Sequence, residues 1–209
     1  AIQAFAESVP VLDQLKNEAM KERHWNKLME MTGTHFDMNP KKFTLGNLFA
    51  MDLSRFVEQI GEIVVEAMQE LKIESELKKV EDIWSTMKFN VVKAGNSYVL
   101  RAADDIQIEL EDSMLNLQTM GGSRFAVEYT DVIKGWGKKL DMVSDVMEVW
   151  FKVQARWRYL ESIFVSEDIR QQLPEEAKKF DNVDKAFKGI MNDTSKEPNV
   201  IKACHVNDR

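Results

Sequence analysis

The residues in this sequence whose types could do chemistry are three histidines, one cysteine, one carboxylate cluster and one glycine pair, and their spacing argues against each chemistry in turn. His24, His35 and His205 have no histidine partner at i+4, so the helical His-Glu-x-x-His arrangement that holds zinc is missing. Surface or loop histidines with ordinary hydrogen bonds are expected instead. Cys204 is the sole cysteine, which excludes an intrachain disulfide and a cysteine-based zinc cluster and fits a reducing compartment such as the cytosol. Asp104, Asp105, Glu109, Glu111 and Asp112 have the charge for acid–base work or calcium binding, but no glycine-containing loop arranges it. They read as the solvated face of a helix start. A nucleotide-hydrolysing site needs backbone amides around a phosphate, a lysine on its oxygens and a hydroxyl on magnesium, usually as G-x4-G-K-S/T. None of the nine glycines begins that motif; Gly121-Gly122-Ser123-Arg124 comes nearest, lacks the lysine and reads as a helix end. The chain is therefore expected to be non-catalytic, with no cofactor and no metal of its own.

What remains is architecture. Four prolines and nine glycines interrupt 209 residues rich in Leu, Met, Glu, Lys and Ala, which favours long helices over a sandwich or barrel. A net charge of −7 argues against a dedicated nucleic-acid surface, because phosphate binding depends on clustered Lys and Arg. No apolar run approaches the ~20 residues of a membrane span, and the first ten residues lack the basic start of a signal peptide. The expected fold is mainly α, an elongated multi-helix bundle or rod with one small β-hairpin at about 89–101.

Along the chain, residues 1–31 read as helix, with Phe5, Val9, Leu12, Leu15, Ala19, Trp25 and Leu28 at helical spacing and Pro10 as a kink or a first turn. Thr32-Gly33-Thr34 stops it, and a loop containing Asn39-Pro40 follows. Phe56, Ile60, Ile63, Val64, Ala67 and Leu71 mark one face of a helical region from about 54 to 87. That face resumes at Leu77, Val80, Trp84 and Met87 after a slip at Lys72-Ile73. Phe89-Asn90-Val91-Val92 and Tyr98-Val99-Leu100-Arg101 then flank Lys93-Ala94-Gly95-Asn96-Ser97, a hairpin with a Gly-Asn turn. Residues 1–88 are expected to form a first helical subdomain and 102–192 a second, with 193–209 a polar, frayed tail.

The second subdomain contains the longest pattern in the chain. Tyr129, Val132, Trp136, Leu140, Val143, Met147, Trp150, Val153, Trp157, Leu160 and Phe164 recur at three- and four-residue steps. A helix over about 126–164 would span ~58 Å at 1.5 Å per residue. Trp136, Trp150 and Trp157, with Tyr159 and Phe164, read as a seam between packed helices rather than a ligand pocket. Gln154 falls on or beside that seam, where its amide either bonds a neighbouring backbone or lies at the edge; the sequence leaves both open. Gly135 and Gly137 bracket Trp136 and are the weak point of the helix. The basic run Lys134, Lys138, Lys139, Lys152, Arg156 and Arg158 reads as solvated or salt-bridged.

Identity adds to spacing in Trp150-x3-Gln154-x2-Trp157-x-Tyr159-Leu160-Glu161-x-Ile163-Phe164. Ser166-x-Asp168-Ile169, Leu173-Pro174-x-Glu176, Phe180 and Ile190-Met191 follow it. Upstream stand His24-Trp25-x2-Leu28-Met29, Phe43-Thr44-Leu45-Gly46 with Leu48, Glu74 and Trp84. Together these resemble the linker of dynein heavy chains. Leu100-Arg101, the glycine-ended helix and Leu173-Pro174-Glu175-Glu176-Ala177-Lys178-Lys179-Phe180 look closer to axonemal than to cytoplasmic members. The resemblance fades near Lys202-Ala203-Cys204-His205 and leaves the last ten residues unassigned.

The resemblance implies a helical lever that arches over a ring of AAA+ modules and turns ATP-driven changes of that ring into a power stroke along microtubules. This chain would be part of such a linker, with tail-side helices before Ala1 and the ring modules after Arg209. ATP and magnesium would bind in those modules. Its partners would be the ring of the same heavy chain and, only indirectly, microtubules, with no nucleic acid and no membrane, in the cytoplasm and the axoneme of a cilium. Trp136, Trp150, Gln154, Trp157, Tyr159, Leu160 and Phe164 would belong to the force-transmitting helix. Gly135 and Gly137, or the slip near Lys72, would be hinge candidates, and Lys93, Gly95 and Asn96 a ring contact. A static helical scaffold that binds protein partners through its faces is the alternative, and it would not need AAA+ modules in the parent polypeptide.

Overall fold

A computed structural model of the chain describes residues 10–35, 37–39, 41–42 and 44–205, the side chains of Leu45 and Phe49 excepted. The expected positions of Phe5, Val9, Pro40 and Phe43 lie outside the described residues, as do residues 206–209. The fold is mainly α with a two-stranded hairpin. It divides into two compact units, Ala1–Glu76 with Ser123–Tyr129, and Leu77–Gly122 with Thr130–Arg209. That partition differs from a division at the hairpin. Helix α3, Val57–Thr86, changes unit between Glu76 and Leu77, and the turn Val127–Tyr129 belongs with the first unit.

In the first unit, residues 10–15 are helical and α1 spans Glu22–Thr32, so the expected single helix over 1–31 is broken. The break has a local cause. The Asn17 side chain accepts the Ala19 N–H at 3.0 Å while the Asn17 carbonyl accepts Met20 N–H at 3.0 Å, a turn that competes with the helical ladder. Gly33, at φ 64°, closes α1 from the left-handed region that glycine enters without steric cost. After α2, Leu45–Ala50, and a 3-10 turn at Leu53–Arg55, α3 brings Ile60, Ile63 and Val64 onto Val11, Leu15, Leu28, Met29, Met51 and Leu53.

Along α3 there is no slip at Lys72-Ile73. The buried stripe runs Ile60, Ile63, Val64, Ala67, Glu70, Ile73, Leu77, Val80 and Trp84, and Leu71 is exposed. A carboxylate occupies a core position, which a hydrophobic pattern reads as a gap.

In the second unit, β1, Val91–Ala94, and β2, Ser97–Leu100, pair antiparallel with Val91 opposite Leu100 and Ala94 opposite Ser97. Gly95 at φ 59° takes the first turn position, which needs positive φ in a type II′ hairpin. Helix α4, Asp104–Gly121, buries Ile106, Leu110, Ser113, Leu117 and Met120. It packs against the first half of α5, Thr130–Phe164, a helix of 35 residues and therefore about 52 Å long. Helices α6, Glu167–Gln172, α7, Pro174–Lys196, and α8, Val200–Cys204, complete the unit.

The expected frayed tail is not found up to His205. Helix α7 runs on to Lys196, and Asn199 is a double clasp. Its Nδ2 donates to the Trp84, Ser85 and Met87 carbonyls at 3.2, 3.0 and 3.3 Å, while its Oδ1 accepts Lys202 N–H at 3.0 Å. One side chain thus satisfies orphan carbonyls at the end of α3 and caps the start of α8. Backbone bonds from Phe89 N–H to the Pro198 carbonyl and from Val200 N–H to the Met87 carbonyl fix the same crossing. Val200 and Cys204 are buried, and burial pushes the Cys204 thiol pKa up to about 12.

Candidate functional site

The second half of α5 is where the marked residues converge. Trp157 is buried, stacks on Phe187 of α7 with centroids 4.4 Å apart, and donates its indole N–H to Asp184 at 3.0 Å. About two turns later, Phe164 stacks on Phe180 at 5.1 Å. These contacts put Phe180, Asp184, Phe187, Met191 and Thr194 on the inner side of α7 and leave Val183 and Ile190 exposed. The acid replaces the valine because a buried indole N–H needs an acceptor.

Gln154 joins the helix to the hairpin. Its Oε1 accepts Leu100 N–H at 2.7 Å and its Nε2 donates to the Leu100 carbonyl at 2.8 Å. Leu100 stands opposite Val91 with both backbone groups turned away from β1, since the neighbouring Arg101 N–H bonds the Asn90 carbonyl at 2.9 Å. The glutamine amide acts as a third strand one peptide long. It settles the choice the sequence left open, and it closes the edge of β2. Next to it, Trp150 packs edge-on against Phe89 at 5.5 Å, and its shielded indole N–H has no acceptor among the described residues.

Other marked residues lie elsewhere. Trp136 is half-buried under Lys139, whose Nζ sits 4.7 Å from the ring centroid, because the buried seam passes through Ile133, Leu140 and Val143 instead. Tyr159 is 68% exposed and Leu160 only half-buried. The seam therefore loses two of its expected aromatics. Helix α5 runs unbroken through Gly135 and Gly137, and a Cβ added at either would meet nothing within 4 Å. The helix starts at Thr130, after the 3-10 turn, rather than at 126. Lys93, Gly95 and Asn96 are exposed at the hairpin tip. Lys152 pairs with Glu148, as a solvated basic face would.

A half-buried charge cluster built on the buried Glu70 and His24 in the first unit escaped the sequence reading. Arg23 Nε donates to Glu70 Oε2 at 2.7 Å, with a second contact from Nη2, and Lys21 Nζ lies 2.6 Å from Glu74. Tyr129 Oη lies 3.4 Å from Lys21 Nζ and 3.3 Å from Arg23 Nη2. His24, expected at the surface, is 1% exposed. Its Nδ1 accepts Lys21 N–H at 3.0 Å, so Nε2 carries the proton; it sits 3.1 Å from Glu70 but out of line for a hydrogen bond. Burial pushes the His24 pKa below its ordinary value, against the pull of Glu70. The signal was present as Glu66, Glu70 and Glu74 at four-residue steps facing Lys21, Arg23 and Lys27.

The glycine pair offers no phosphate cradle. Gly122 is right-handed and its N–H is spent on the Gln118 carbonyl at 3.1 Å. Among the described residues no group of three or more His, Cys, Asp or Glu could hold a metal ion, and no helix is long and apolar enough to cross a membrane.

Compared with known proteins, residues 1–209 match the family "Dynein heavy chain, N-terminal region 2". The chain is similar over its whole length to the Chlamydomonas reinhardtii dynein-1-alpha heavy chain of the flagellar inner arm I1 complex, at 48% identity. It is similar to human dynein axonemal heavy chain 10 at 45%, and to the beta chain of the Chlamydomonas flagellar outer arm at 39%. It covers 5% of the length of each of these relatives.

Proposed function

Since the chain belongs to the dynein heavy-chain family, in its N-terminal region 2, we propose that it is a lever segment of an axonemal heavy chain, carrying ATP-driven change in an AAA+ ring into microtubule-based movement. The match over all 209 residues, with axonemal chains at 48% and 45% identity, supports this reading. Physically, a lever needs an element that resists bending and neighbours that move with it. The unbroken hydrogen-bond ladder of α5 supplies the first. Trp157 on Phe187, Phe164 on Phe180 and Gln154 on Leu100 supply the second, tying α7 and the hairpin to one helix. In this reading the hairpin tip at Lys93, Gly95 and Asn96 meets the ring, and microtubules are engaged only through the rest of the motor. ATP and magnesium bind in modules outside these residues, and the parent works in a cilium or flagellum.

The test uses the full motor with a donor dye at Asn96→Cys and an acceptor on the ring. The distance should change between nucleotide states, and Gly135→Ala with Gly137→Ala should reduce the change. Each glycine replaced by alanine stabilises the helical conformation by about 0.5–1 kcal/mol without touching a neighbour. A distance that ignores nucleotide would make the segment a static scaffold; a swing unaltered by the alanines would remove the glycines as hinges.

A further inference from the structure

One flank of the hairpin is closed by the fold at its base and left open above it. Arg101 N–H bonds the Asn90 carbonyl, so in this register Asn90, Val92 and Ala94 exchange hydrogen bonds across to β2 and its continuation. Phe89, Val91 and Lys93 turn N–H and C=O the other way. At the base of that flank, residues 198–200 run as a short third strand. Val200 N–H bonds the Met87 carbonyl at 3.0 Å and Phe89 N–H the Pro198 carbonyl at 2.8 Å, with Lys88 opposite Asn199. The ladder stops there for a chemical reason. Pro198 has no N–H to return to the Phe89 carbonyl, and the chain up to Lys196 is already helical. The Phe89 carbonyl and the N–H and C=O of Val91 and Lys93 therefore have no hydrogen-bond partner among the described residues.

From this geometry we infer that the open flank of β1 takes an extended segment of another polypeptide chain as an added strand. The occupant follows from what faces it. Main-chain donors and acceptors that alternate over about 13 Å, at ~3.3 Å per residue, fit a strand of about five residues and no helix. Val91 and Lys93 project to one face of the hairpin, and Lys93 is exposed with no carboxylate partner among the described residues. The segment accordingly carries an acid beside Lys93 and, two places away, an apolar residue beside the half-buried Val91. A second copy does not supply this. Residues 89–94 contain no acid, so no register of β1 on β1 sets one beside Lys93. The chain's own closing strand ends at Pro198, which leaves the rest of the flank to a different chain. A lysine on an edge strand also serves elsewhere to repel pairing, and the experiment separates the two roles. The flank is distinct from the Gly95 and Asn96 turn that the lever reading gives to the ring, so either reading can fail alone.

In the intact heavy chain, isolated with the chains bound to it, a water-soluble carbodiimide joins Lys93 Nζ to a carboxylate in contact with it. An amide forms, and the carbodiimide takes up the lost water as a urea. Mass spectrometry should place that carboxylate in one segment of a different chain. Hydrogen exchange at the Val91 and Lys93 amides should be at least about tenfold slower than at an unpaired amide. Val91→Pro removes an N–H that β2 does not use, and should cut the crosslink yield at least about tenfold while the Leu100 amide stays protected. Val91→Thr, which keeps the N–H and the strand preference, should leave the yield unchanged. Unprotected Val91 and Lys93 amides would overturn the inference and make Lys93 an edge guard alone. A crosslink to a second copy or to the same heavy chain would overturn it too, as would a crosslink that survives Val91→Pro. If Val91→Pro also exposes Leu100, the exchange rates and crosslink of the unaltered chain decide.

Discussion

Gln154→Leu isolates the amide that joins the long helix to the hairpin. Leucine keeps the volume and the burial and deletes both hydrogen bonds, so Leu100 N–H and its carbonyl lose their partners at 2.7 and 2.8 Å. Each buried backbone group left unpaired costs about 1–3 kcal/mol. The more apolar side chain returns about 1–2 kcal/mol, and the net loss is expected at about 1–4 kcal/mol. The chain has two compact units and need not unfold in one step, so the loss is best read locally. Hydrogen exchange at the Leu100 amide should accelerate by about 5- to 700-fold, since each 1.4 kcal/mol is a factor of ten, and the tryptophan-monitored urea midpoint should fall with it. Gln154→Glu sharpens the test. It keeps the acceptor for Leu100 N–H but sets a carboxylate oxygen against the Leu100 carbonyl, so the acid is held protonated in the folded state and its pKa is raised. Its stability should then be greatest at low pH and fall as pH rises, whereas a pure packing defect would ignore pH. A Gln154→Leu variant within about 0.5 kcal/mol of the parent, with Leu100 still protected, would refute the clamp.

Two further outcomes follow from groups the sequence hid. His24 is buried neutral, with its pKa depressed by burial. Its contribution is therefore fully present above the unfolded value of about 6.5 and lost as pH falls through the depressed folded value. His24→Asn, which retains an acceptor for Lys21 N–H, should flatten that part of the pH–stability curve in urea titrations; an unchanged curve would assign the dependence elsewhere. Asn199→Ala removes a cap and three carbonyl contacts together and should cost about 1–2 kcal/mol. It should release residues 197–205 to fast hydrogen exchange while α7 stays protected, and uniform protection across the clasp would show that the backbone bonds alone suffice.

Where the sequence was legible, one physical rule dominated. The hairpin could be read to within two residues because Gly95 and Asn96 sit between alternating strands, and the long helix because its apolar stripe repeats for ten turns. The failures share a different origin. Glu70 fills a core position of α3, Asp184 one of α7, Gln154 one of α5 and Ser113 one of α4, where its hydroxyl accepts the Trp84 indole at 3.0 Å. A pattern that counts only apolar residues sees a slip, a shifted face or an ambiguous edge at each. In three of the four the polar residue meets a donor that burial would otherwise orphan, two indole N–H groups and a strand amide, and in the fourth Glu70 pairs with the half-buried Arg23 guanidinium. Asn17 and Asn199 act by the same principle on backbone ends, breaking one expected helix and ordering one expected tail. The joints of this fold are thus written in its buried polar residues. They are also the places where a lever would have to be strong, because a satisfied hydrogen bond resists shear by direction while apolar contact does not. Gln154, rather than the half-buried Trp136 or the exposed Tyr159, is the residue on α5 whose loss should uncouple the hairpin from the helix while leaving the helix itself intact.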